Sequence, residues 1–268
     1  MTFLKHSTLI LCTIYYTYLS FYEKETMKLD ILAIAAHPDD VELSCSGTLM
    51  KHIEMGYKVG IIDLTRGELG TRGTPELRLE EAQAAGEIMG VSARENMKMA
   101  DGFFKNDREH QLQLIQAIRK YQPEIIFANA VTDRHIDHGR GSSLISDACF
   151  LSGLVKIETH ENGKLQDKWR PKTVYHCIQD RYIKPDFVVD ITPYIDRKME
   201  SILAYRSQFF NESYEKNKEE LQTPISGKDF FEFLKARCRE MGRPIGVEYA
   251  EGFTVERTIG VENIFDLK

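Results

Sequence analysis

The feature that most limits the fold of this chain is a regular alternation of apolar runs with amphipathic segments from Lys28 onwards. The run "LDILAIAA" at 29–36 is continuously apolar, which is typical of a strand covered on both faces. The segment "SGTLMKHIEMG" after it places Leu49 and Ile53 at helical spacing and closes with Gly56. Strands and helices in this order predict an α/β sandwich with a mostly parallel sheet.

The same alternation continues towards the C-terminal end. Further strands are predicted at "YKVGIIDLT", "PEIIFAN", "KTVYHCIQ" and "DFVVDI". Helices are predicted at "LRLEEAQAAGEIMG", at "REHQLQLIQAIRKYQ", from Ser142 to about Leu154, at "YIDRKMESILAYRSQF" and at "KDFFEFLKARCREMG". The charged stretch "NESYEKNKEELQ" lacks a repeating apolar face, and we expect an exposed connector there. No internal repeat interrupts the pattern, so the sequence predicts a single Rossmann-like α/β domain over 27–268.

Composition narrows the class of partner. The formal charge of −6 argues against a nucleic-acid surface, because neutralising phosphates requires clustered Lys and Arg. A small-molecule partner is therefore predicted. The five cysteines are scattered and form no C-x-x-C pair, which argues against a disulfide framework and against a thiolate zinc site. We expect them to act as small buried hydrophobic residues in a reduced, cytoplasmic compartment.

The first 26 residues differ in character from the rest of the chain. They combine a basic residue with an apolar, Tyr-rich stretch that is too short and too hydroxylated for a membrane span. No small-x-small cleavage site follows it, which argues against a signal peptide. Met27 begins "MKLDILAIAAHPDD", a natural start just before the first strand. We therefore expect 1–26 to be an extension that is disordered or results from a mis-assigned start, with no membrane role.

Two polar clusters follow predicted strands, one in "HPDD" directly after the first strand and one in "RHIDH", which we expect in the loop after "IIFAN". Their members are His37, Asp39, Asp40, His135, Asp137 and His138. Ligands of open parallel sheets bind beyond the carboxyl ends of the strands, so we expect the two clusters to meet there. Two His nitrogens and one carboxylate oxygen leave a position open, as in catalytic zinc sites that lower the pKa of bound water to about 7. Without thiolates zinc is favoured, with Fe²⁺ or Co²⁺ as alternatives.

The glycine-rich loop "GELGTRG" is a weak indication of a nucleotide site. It lacks the G-x-G-x-x-G spacing, and it follows the second strand, whereas the dinucleotide fingerprint follows the first. A non-catalytic α/β module that binds a sugar or nucleotide nevertheless stays open as an alternative from the residues alone.

Longer stretches of the sequence carry a family resemblance. The segments "AHPDD", "VELSCSGTL", "LTRGELGTRGTPELRLEEA" and "RHIDHGRGS" together resemble the LmbE-like, or PIG-L, superfamily of metal-dependent N-deacetylases that act on N-acetylglucosaminyl compounds. Within it, "DACFLSGL", "WRPKTVYHCIQ", "DFVVDIT" and "KMESILAYRSQF" look most like the bacillithiol-biosynthesis deacetylases, which remove acetate from N-acetylglucosaminyl malate. The resemblance covers about 28–253 and leaves 1–26 outside it.

The resemblance implies roles for the residues of the two clusters. His37, Asp40 and His138 match the positions that bind zinc in this superfamily. Asp39 matches the general base that takes a proton from the attacking water. His135 matches a histidine that assists as an acid or as an electrostatic stabiliser of the transition state. The implied reaction is hydrolysis of an acetamide on an amino-sugar glycoside.

Substrate contacts and the surroundings of the second cluster follow from the same comparison. Arg78 and Arg134 resemble positions that face the substrate, where a planar guanidinium suits the carboxylates of malate. Asp137 is placed to hold a protonated His135 in one orientation. Ile136 stands where many members have Pro, so the loop geometry departs from the family pattern.

Three further points stay open at this level. The substrate could be another N-acyl amino sugar or a mycothiol-type conjugate in place of the malate glycoside. Either Asp39 or His135 could protonate the leaving amine. The chain could form a homo-oligomer, for which the "FFEF" run offers an apolar contact.

Overall fold

The computed structural model of the protein describes residues 27–209, 222–227 and 229–267. The predicted extension at 1–26 lies outside the described residues, as does all but the last residue of "NESYEKNKEELQ". Both expectations therefore stay predictions.

The described residues form one α/β domain around a mostly parallel sheet, as predicted. Its strands are β1 (Ile31–Ala35), β2 (Val59–Thr65), β3 (Ala93–Met99), β4 (Ile125–Ala128), β7 (Thr173–Cys177), β8 (Phe187–Asp190) and β9 (Ala250–Val255). A separate hairpin consists of β5 (His160–Glu161) and β6 (Lys164–Leu165). In the described residues the sheet order is β3-β2-β1-β4-β7-β9-β8, with β9 antiparallel to β7 and β8. Strand order therefore reverses at β1.

Helices cover both faces of the sheet. They are α1 (Asp40–Ser44), α2 (Ser46–Glu54), α3 (Pro75–Met89), α4 (Arg108–Tyr121), α5 (Ile136–Ser152), α6 (Ile195–Leu203) and α7 (Asp229–Gly242). Short 3₁₀ turns lie at Thr192–Tyr194, Arg243–Ile245 and Ile264–Asp266. Among the described helices, none is both long and apolar enough to cross a membrane.

Strand β1 separates two hydrophobic cores, which explains its unbroken apolar sequence. Leu32 and Ile34 pack into a core with residues of α4 and α5. Ile31, Ala33 and Ala35 pack into a second core on the opposite face, with residues of α2 and β2. Successive side chains of a strand point to opposite faces, so a strand between two cores has no position for a polar residue.

Several elements differ from the sequence prediction. The hairpin strands β5 and β6 and the short helix α1 were not predicted, and α6 ends at Leu203, six residues before the predicted end at Phe209. The segments that form β3 and β9 are not among the predicted strands.

Helix α5 begins at Ile136, six residues before the predicted start at Ser142. His135 caps this helix, because its Nδ1 accepts a hydrogen bond of 3.3 Å from the backbone N–H of Asp137. Asp137 and His138 therefore lie in the first helical turn rather than in a loop.

Candidate metal centre

Parallel pairing of β1 with β4 brings the two polar clusters together. Ile34 of β1 lies opposite Ala128 of β4, so the two strands end side by side at one edge of the sheet. The imidazole centroids of His37 and His138 are 5.7 Å apart, and those of His37 and His135 are 4.6 Å apart. Segments that are distant in sequence therefore meet at the point where strand order reverses, as the fold predicts.

The carboxylate of Asp40 lies between two imidazoles. Its Oδ1 is 3.1 Å from His138 Nε2, and its Oδ2 is 3.4 Å from His37 Nδ1. Gln179 Nε2 and Asn129 Nδ2 donate hydrogen bonds to the same carboxylate, at 2.8 and 3.2 Å. Burial raises the pKa of Asp40, but His138 and His37 outweigh this effect and hold it well below its usual range. Asp40 is therefore held as a carboxylate.

Each of these imidazoles has a carboxylate against its other ring nitrogen. His138 Nδ1 is 2.7 Å from Asp133 Oδ2, and His37 Nε2 is 3.1 Å from Asp101 Oδ1 and 3.4 Å from Asp137 Oδ2. Histidines that bind metal ions almost always carry such a partner, which fixes the tautomer and the ring orientation. Imidazole nitrogens and carboxylate oxygens are donors that divalent metal ions accept, and the Asp40 carboxylate lies beside a nitrogen of each imidazole.

The imidazoles of His138 and His135 differ in their affinity for protons. Burial lowers the pKa of His138, but Asp40 and Asp133 raise it to about 9. Burial also lowers the pKa of His135, and there the neighbouring His37 and His138 lower it further. Ring nitrogens of all three histidines lie within 4.8 Å of one another. The histidines therefore form one combination of atoms that could hold a metal ion, and His37, Asp101 and Asp137 form another; Asp40 belongs to neither.

Asp39 is buried beside this cluster in a backbone conformation that few residues adopt. Its φ of 113° lies in the left-handed region, which Asp and Asn tolerate better than most other residues. Arg78 Nη2 donates a hydrogen bond of 2.7 Å to Asp39 Oδ2. Burial raises the pKa of Asp39 to about 7, and the guanidinium of Arg78 opposes this rise. The carboxylate is therefore suited to accept and return a proton.

A cavity of about 530 Å³ opens over these groups. His37, Asp39, Asp40, His135 and His138 all line it. Its volume lies in the range of about 300–1,000 Å³ that is usual for sites of small molecules. The predicted catalytic and metal-binding residues therefore share one small-molecule cavity, with the exception of Asp137, which lies behind His37.

The two predicted substrate-binding arginines occupy different environments in the cavity wall. Arg78 is buried and donates through Nε and Nη2 to the carbonyl oxygen of Pro38, at 3.3 and 2.9 Å, in addition to its bond with Asp39. Arg134 is half-exposed at the mouth, where its Nε is 3.3 Å from Asp180 Oδ2. Arg78 thus shapes the surroundings of the Asp39 carboxylate, whereas Arg134 presents its charge near the entrance.

The carboxylate of Asp137 is placed differently from the sequence prediction. Its Oδ2 accepts a hydrogen bond of 2.8 Å from the backbone N–H of Gly102 and faces His37 Nε2, and its Oδ1 accepts one from Arg140. His135 instead contacts the backbone N–H of Asp137. The expectation that this carboxylate orients His135 is therefore corrected, because the first turn of α5 directs it towards His37.

Sequence reasoning missed Asp101, Asp133 and Gln179, which contact the predicted metal ligands. Asp133 lies in "TDRHIDH", five residues before His138, so its proximity was available as a local signal. Asp101 lies two residues after the end of β3, and a prediction of that strand would have placed it at the same edge of the sheet. Gln179 offers no comparable local signal.

Comparisons with known proteins agree with this geometry. Residues 32–149 match the family described as PIG-L: GlcNAc-PI de-N-acetylase. Diacetylchitobiose deacetylase of Thermococcus kodakarensis is 27% identical over 232 residues, which cover 83% of this chain and 81% of that protein. The 4-oxalmesaconate hydratase of Pseudomonas putida is 25% identical over 198 residues, which cover 68% of this chain and 75% of that protein.

The similarity extends to a solved structure. The crystal structure of the conserved protein TT1542 from Thermus thermophilus is 36% identical and superposes with a TM-score of 0.76, over 87% of this chain and 98% of that one. The family match at 32–149 includes both polar clusters of the candidate site. The chain therefore belongs to the PIG-L, or LmbE-like, family.

Proposed function

We propose that this protein is a zinc-dependent N-deacetylase that removes the acetyl group from N-acetylglucosaminyl malate, a step of bacillithiol biosynthesis. One observation carries the proposal: a buried carboxylate suited to proton transfer, Asp39, lines the same cavity as His37, Asp40 and His138. The deacetylase named among the relatives supports the same reaction class. The free, buried cysteines of the described residues support a cytoplasmic location.

In this proposal His37, Asp40 and His138 hold the metal ion. When bound, a zinc ion lowers the pKa of a water molecule and polarises the amide carbonyl. Asp133 and Asp101 orient the two imidazoles through their outer ring nitrogens. A set of three protein ligands leaves space for the water and the substrate oxygen.

Asp39 acts as the general base in this scheme. Its neighbour Asp40 is held by hydrogen bonds from Gln179 and Asn129, so only one of the two consecutive carboxylates is committed to the metal. Asp39 takes the proton of the attacking water and can pass it to the leaving amine. Arg78 fixes its carboxylate through Oδ2.

His135 lies on the open side of the cluster, half-buried and lining the cavity. There it can stabilise the negative charge that develops on the amide oxygen in the transition state, or protonate the leaving amine. At the mouth, Arg134 supplies a cation for a carboxylate of the malate group.

The decisive experiment measures metal content together with acetate release from N-acetylglucosaminyl malate. We expect stoichiometric zinc and acetate release that a chelator abolishes. Asp39→Asn should keep the bound zinc and lower kcat by about 10²–10⁴, the usual contribution of general base catalysis. Asn is suited to the same left-handed backbone, so the variant should fold. Asp30→Asn, which alters a carboxylate that accepts from Lys58 outside the cavity, is the control and should retain wild-type activity.

Other results would select other functions. Zinc binding without acetate release from this glycoside, but with release from another N-acyl amino sugar or a mycothiol-type conjugate, would change the substrate and keep the reaction. Because one relative is named 4-oxalmesaconate hydratase, addition of water to 4-oxalmesaconate is the alternative reaction to assay. Absence of both metal and turnover would indicate a sugar- or nucleotide-binding module.

A further inference from the structure

Three large apolar side chains are exposed at the mouth of the cavity. Leu69, Phe103 and Ile136 are 62%, 73% and 68% exposed, and each lines the cavity. We refer to these three residues as the apolar ridge. Single exposed apolar side chains are common, but a group of them at the rim of a binding cavity marks a surface that contacts a ligand.

The three residues of the ridge come from segments that meet at Gly102. The space above Gly102 is filled by Leu69, whose Cδ1 would lie 3.2 Å from a Cβ at that position. The backbone N–H of Gly102 donates a hydrogen bond to Oδ2 of Asp137, and Asp137 directly follows Ile136. Phe103 directly follows Gly102. The loops after β2 and β3 and the first residue of α5 therefore each contribute one apolar side chain to the mouth of the cavity.

The loop that carries Phe103 is firmly anchored. The backbone N–H of Phe103 donates a hydrogen bond of 3.0 Å to the carbonyl oxygen of Ala100. Arg140 Nη1 donates one of 2.9 Å to the carbonyl oxygen of Gly102. The next residue, Phe104, is buried in the core. Asp101, on the same loop, contacts His37. The aromatic ring of Phe103 is thus attached to a backbone fixed relative to the metal centre, which lowers the entropy cost of binding.

We propose that the apolar ridge is a subsite for the aglycone, and that among N-acetylglucosaminides with an uncharged aglycone it makes the enzyme prefer aryl over small alkyl groups, with Phe103 as the stacking residue. The proposal rests on the proposed function, since the acetamide must lie beside Asp39 and the metal ligands. The aglycone is attached to C1, next to the carbon that bears the acetamide, and it then extends from the metal centre towards the mouth, where the ridge and Arg134 offer an apolar and a cationic contact.

The aglycone takes no part in the amide chemistry. We therefore expect its contact with the apolar ridge to be equally strong in the ground state and the transition state. It therefore lowers KM for the aryl glycoside and leaves kcat little changed. Offset or edge-on packing of an aromatic aglycone against Phe103, together with burial of apolar surface on Leu69 and Ile136, is worth about tenfold in affinity.

The test compares acetate release from phenyl and methyl N-acetylglucosaminide, in both anomeric forms. For the wild type we expect kcat/KM to be about tenfold higher for the phenyl glycoside of the productive anomer. Phe103→Ala should reduce this ratio to near one through KM, and Phe103→Tyr should restore it. Phe150→Ala is the matched control, because Phe150 is an exposed aromatic residue, 58% accessible, outside the cavity lining. It should keep the wild-type ratio.

A binding measurement separates this inference from the proposed function. Calorimetry with phenyl glucosaminide, which has no acetyl group, needs no turnover and should show weaker binding to Phe103→Ala than to the wild type or Phe150→Ala. If no glycoside releases acetate but this difference is seen, the proposed deacetylation fails and the subsite stands. If acetate is released while neither the ratio nor the affinity depends on Phe103, the subsite is refuted and the deacetylase stands.

Discussion

At the scale of single residues, the metal centre depends on side chains that would not touch the metal. Asp133 is an example. It is buried, its Oδ2 contacts His138 Nδ1, and its Oδ1 accepts hydrogen bonds from the backbone N–H groups of Arg134 and Arg181. Three contacts thus fix the carboxylate that orients one proposed ligand. A histidine without such a partner can rotate or adopt the other tautomer, and either change weakens its bond to a metal.

We therefore expect Asp133→Asn to lower zinc affinity by about 10–100-fold, the usual effect of losing such a partner. A competition titration with a chromogenic chelator measures it. Asp107→Asn is the matched control, because Asp107 Oδ1 also lies 2.7 Å from a histidine Nδ1, that of His110, at the start of α4. Equal zinc affinity in both variants would contradict the role of Asp133.

A second prediction at this scale concerns Arg134 at the mouth. Its half-exposed guanidinium can pair with a carboxylate of the substrate, whereas buried Arg78 is bonded to Asp39 and Pro38. Arg134→Ala should lower kcat/KM for N-acetylglucosaminyl malate by about tenfold, within the range of charge-assisted hydrogen bonds, and should leave a neutral glycoside much less affected. Arg181→Ala, an exposed arginine outside the cavity lining, serves as control. Unchanged discrimination between the two glycosides would exclude this role.

At the scale of secondary-structure elements, a buried ion pair joins the two short helices that follow the site. Lys198 Nζ of α6 donates to the carbonyls of Glu42 and Leu43 near the end of α1, and also to Glu251 Oε1 of β9, at 2.8 Å. Glu251 in turn accepts from the backbone N–H groups of Gly47 and Thr48 at the start of α2. The pair satisfies groups that helix ends leave unpaired.

Breaking this pair should be costly. Lys198→Met leaves Glu251 buried without its cation and should lower the free energy of unfolding by about 3–5 kcal/mol in a urea titration. The control is Lys172→Met, which breaks an ion pair with Glu124 whose side chains are 70% and 42% exposed, and it should change stability by less than about 1 kcal/mol. The double variant of Lys198→Met with Glu251→Gln should cost less than the sum of the single variants. Similar effects of the two Lys variants would refute the argument.

The same elements show what could be predicted from the sequence. Strands β1, β2 and β4 were predictable because their apolar residues face two cores. The segment "ARENMKM" of β3 lies at the sheet edge and has three consecutive polar residues, Arg94 to Asn96, so neither an apolar run nor a regular alternation marks it. The segment "AEGFTV" of β9 contains buried Glu251, whose charge is compensated by Lys198 from another element. Such compensation follows from the tertiary fold, and local pattern does not reveal it.

The candidate site likewise contains residues that could be predicted from the sequence and residues that could not. The convergence of His37 with His138 was predictable, since parallel neighbouring strands end at one edge. The partners Asp101 and Gln179 come from segments whose approach depends on the whole sheet order. Arg78 was expected to face the substrate, yet the position of α3 brings its guanidinium to Asp39 as well.

At the scale of the whole molecule, the cores enclose every cysteine of the described residues. These cysteines are free and buried: Cys45, Cys149, Cys177 and Cys238. Burial raises the pKa of Cys238 to about 11 and that of Cys149 well above its usual value. Because the thiolate is the reactive form, thiol reagents can modify these residues only when the fold opens.

Thiol labelling in a Cys12→Ser background should therefore report on opening of the domain. Zinc at about 100 times its dissociation constant stabilises the folded state by about 2.7 kcal/mol. When opening and closing are faster than the thiol reaction, the labelling rate follows the population of the open form, so we expect it to fall about 100-fold. Labelling with 5,5′-dithiobis(2-nitrobenzoate), with and without zinc, measures it. Asp40→Asn, which lacks a proposed ligand, should show little response to zinc. An equal response in both proteins would contradict the proposed site.

The left-handed backbone of Asp39 has a consequence for how this protein could change. Glycine adopts such a conformation without steric cost and has no carboxylate to desolvate, so at this position it would relieve strain. A selection for thermostability that did not assay activity would favour Asp39→Gly, and the selected variants would be more stable but inactive. Thermal stability and catalytic activity thus favour different residues at position 39.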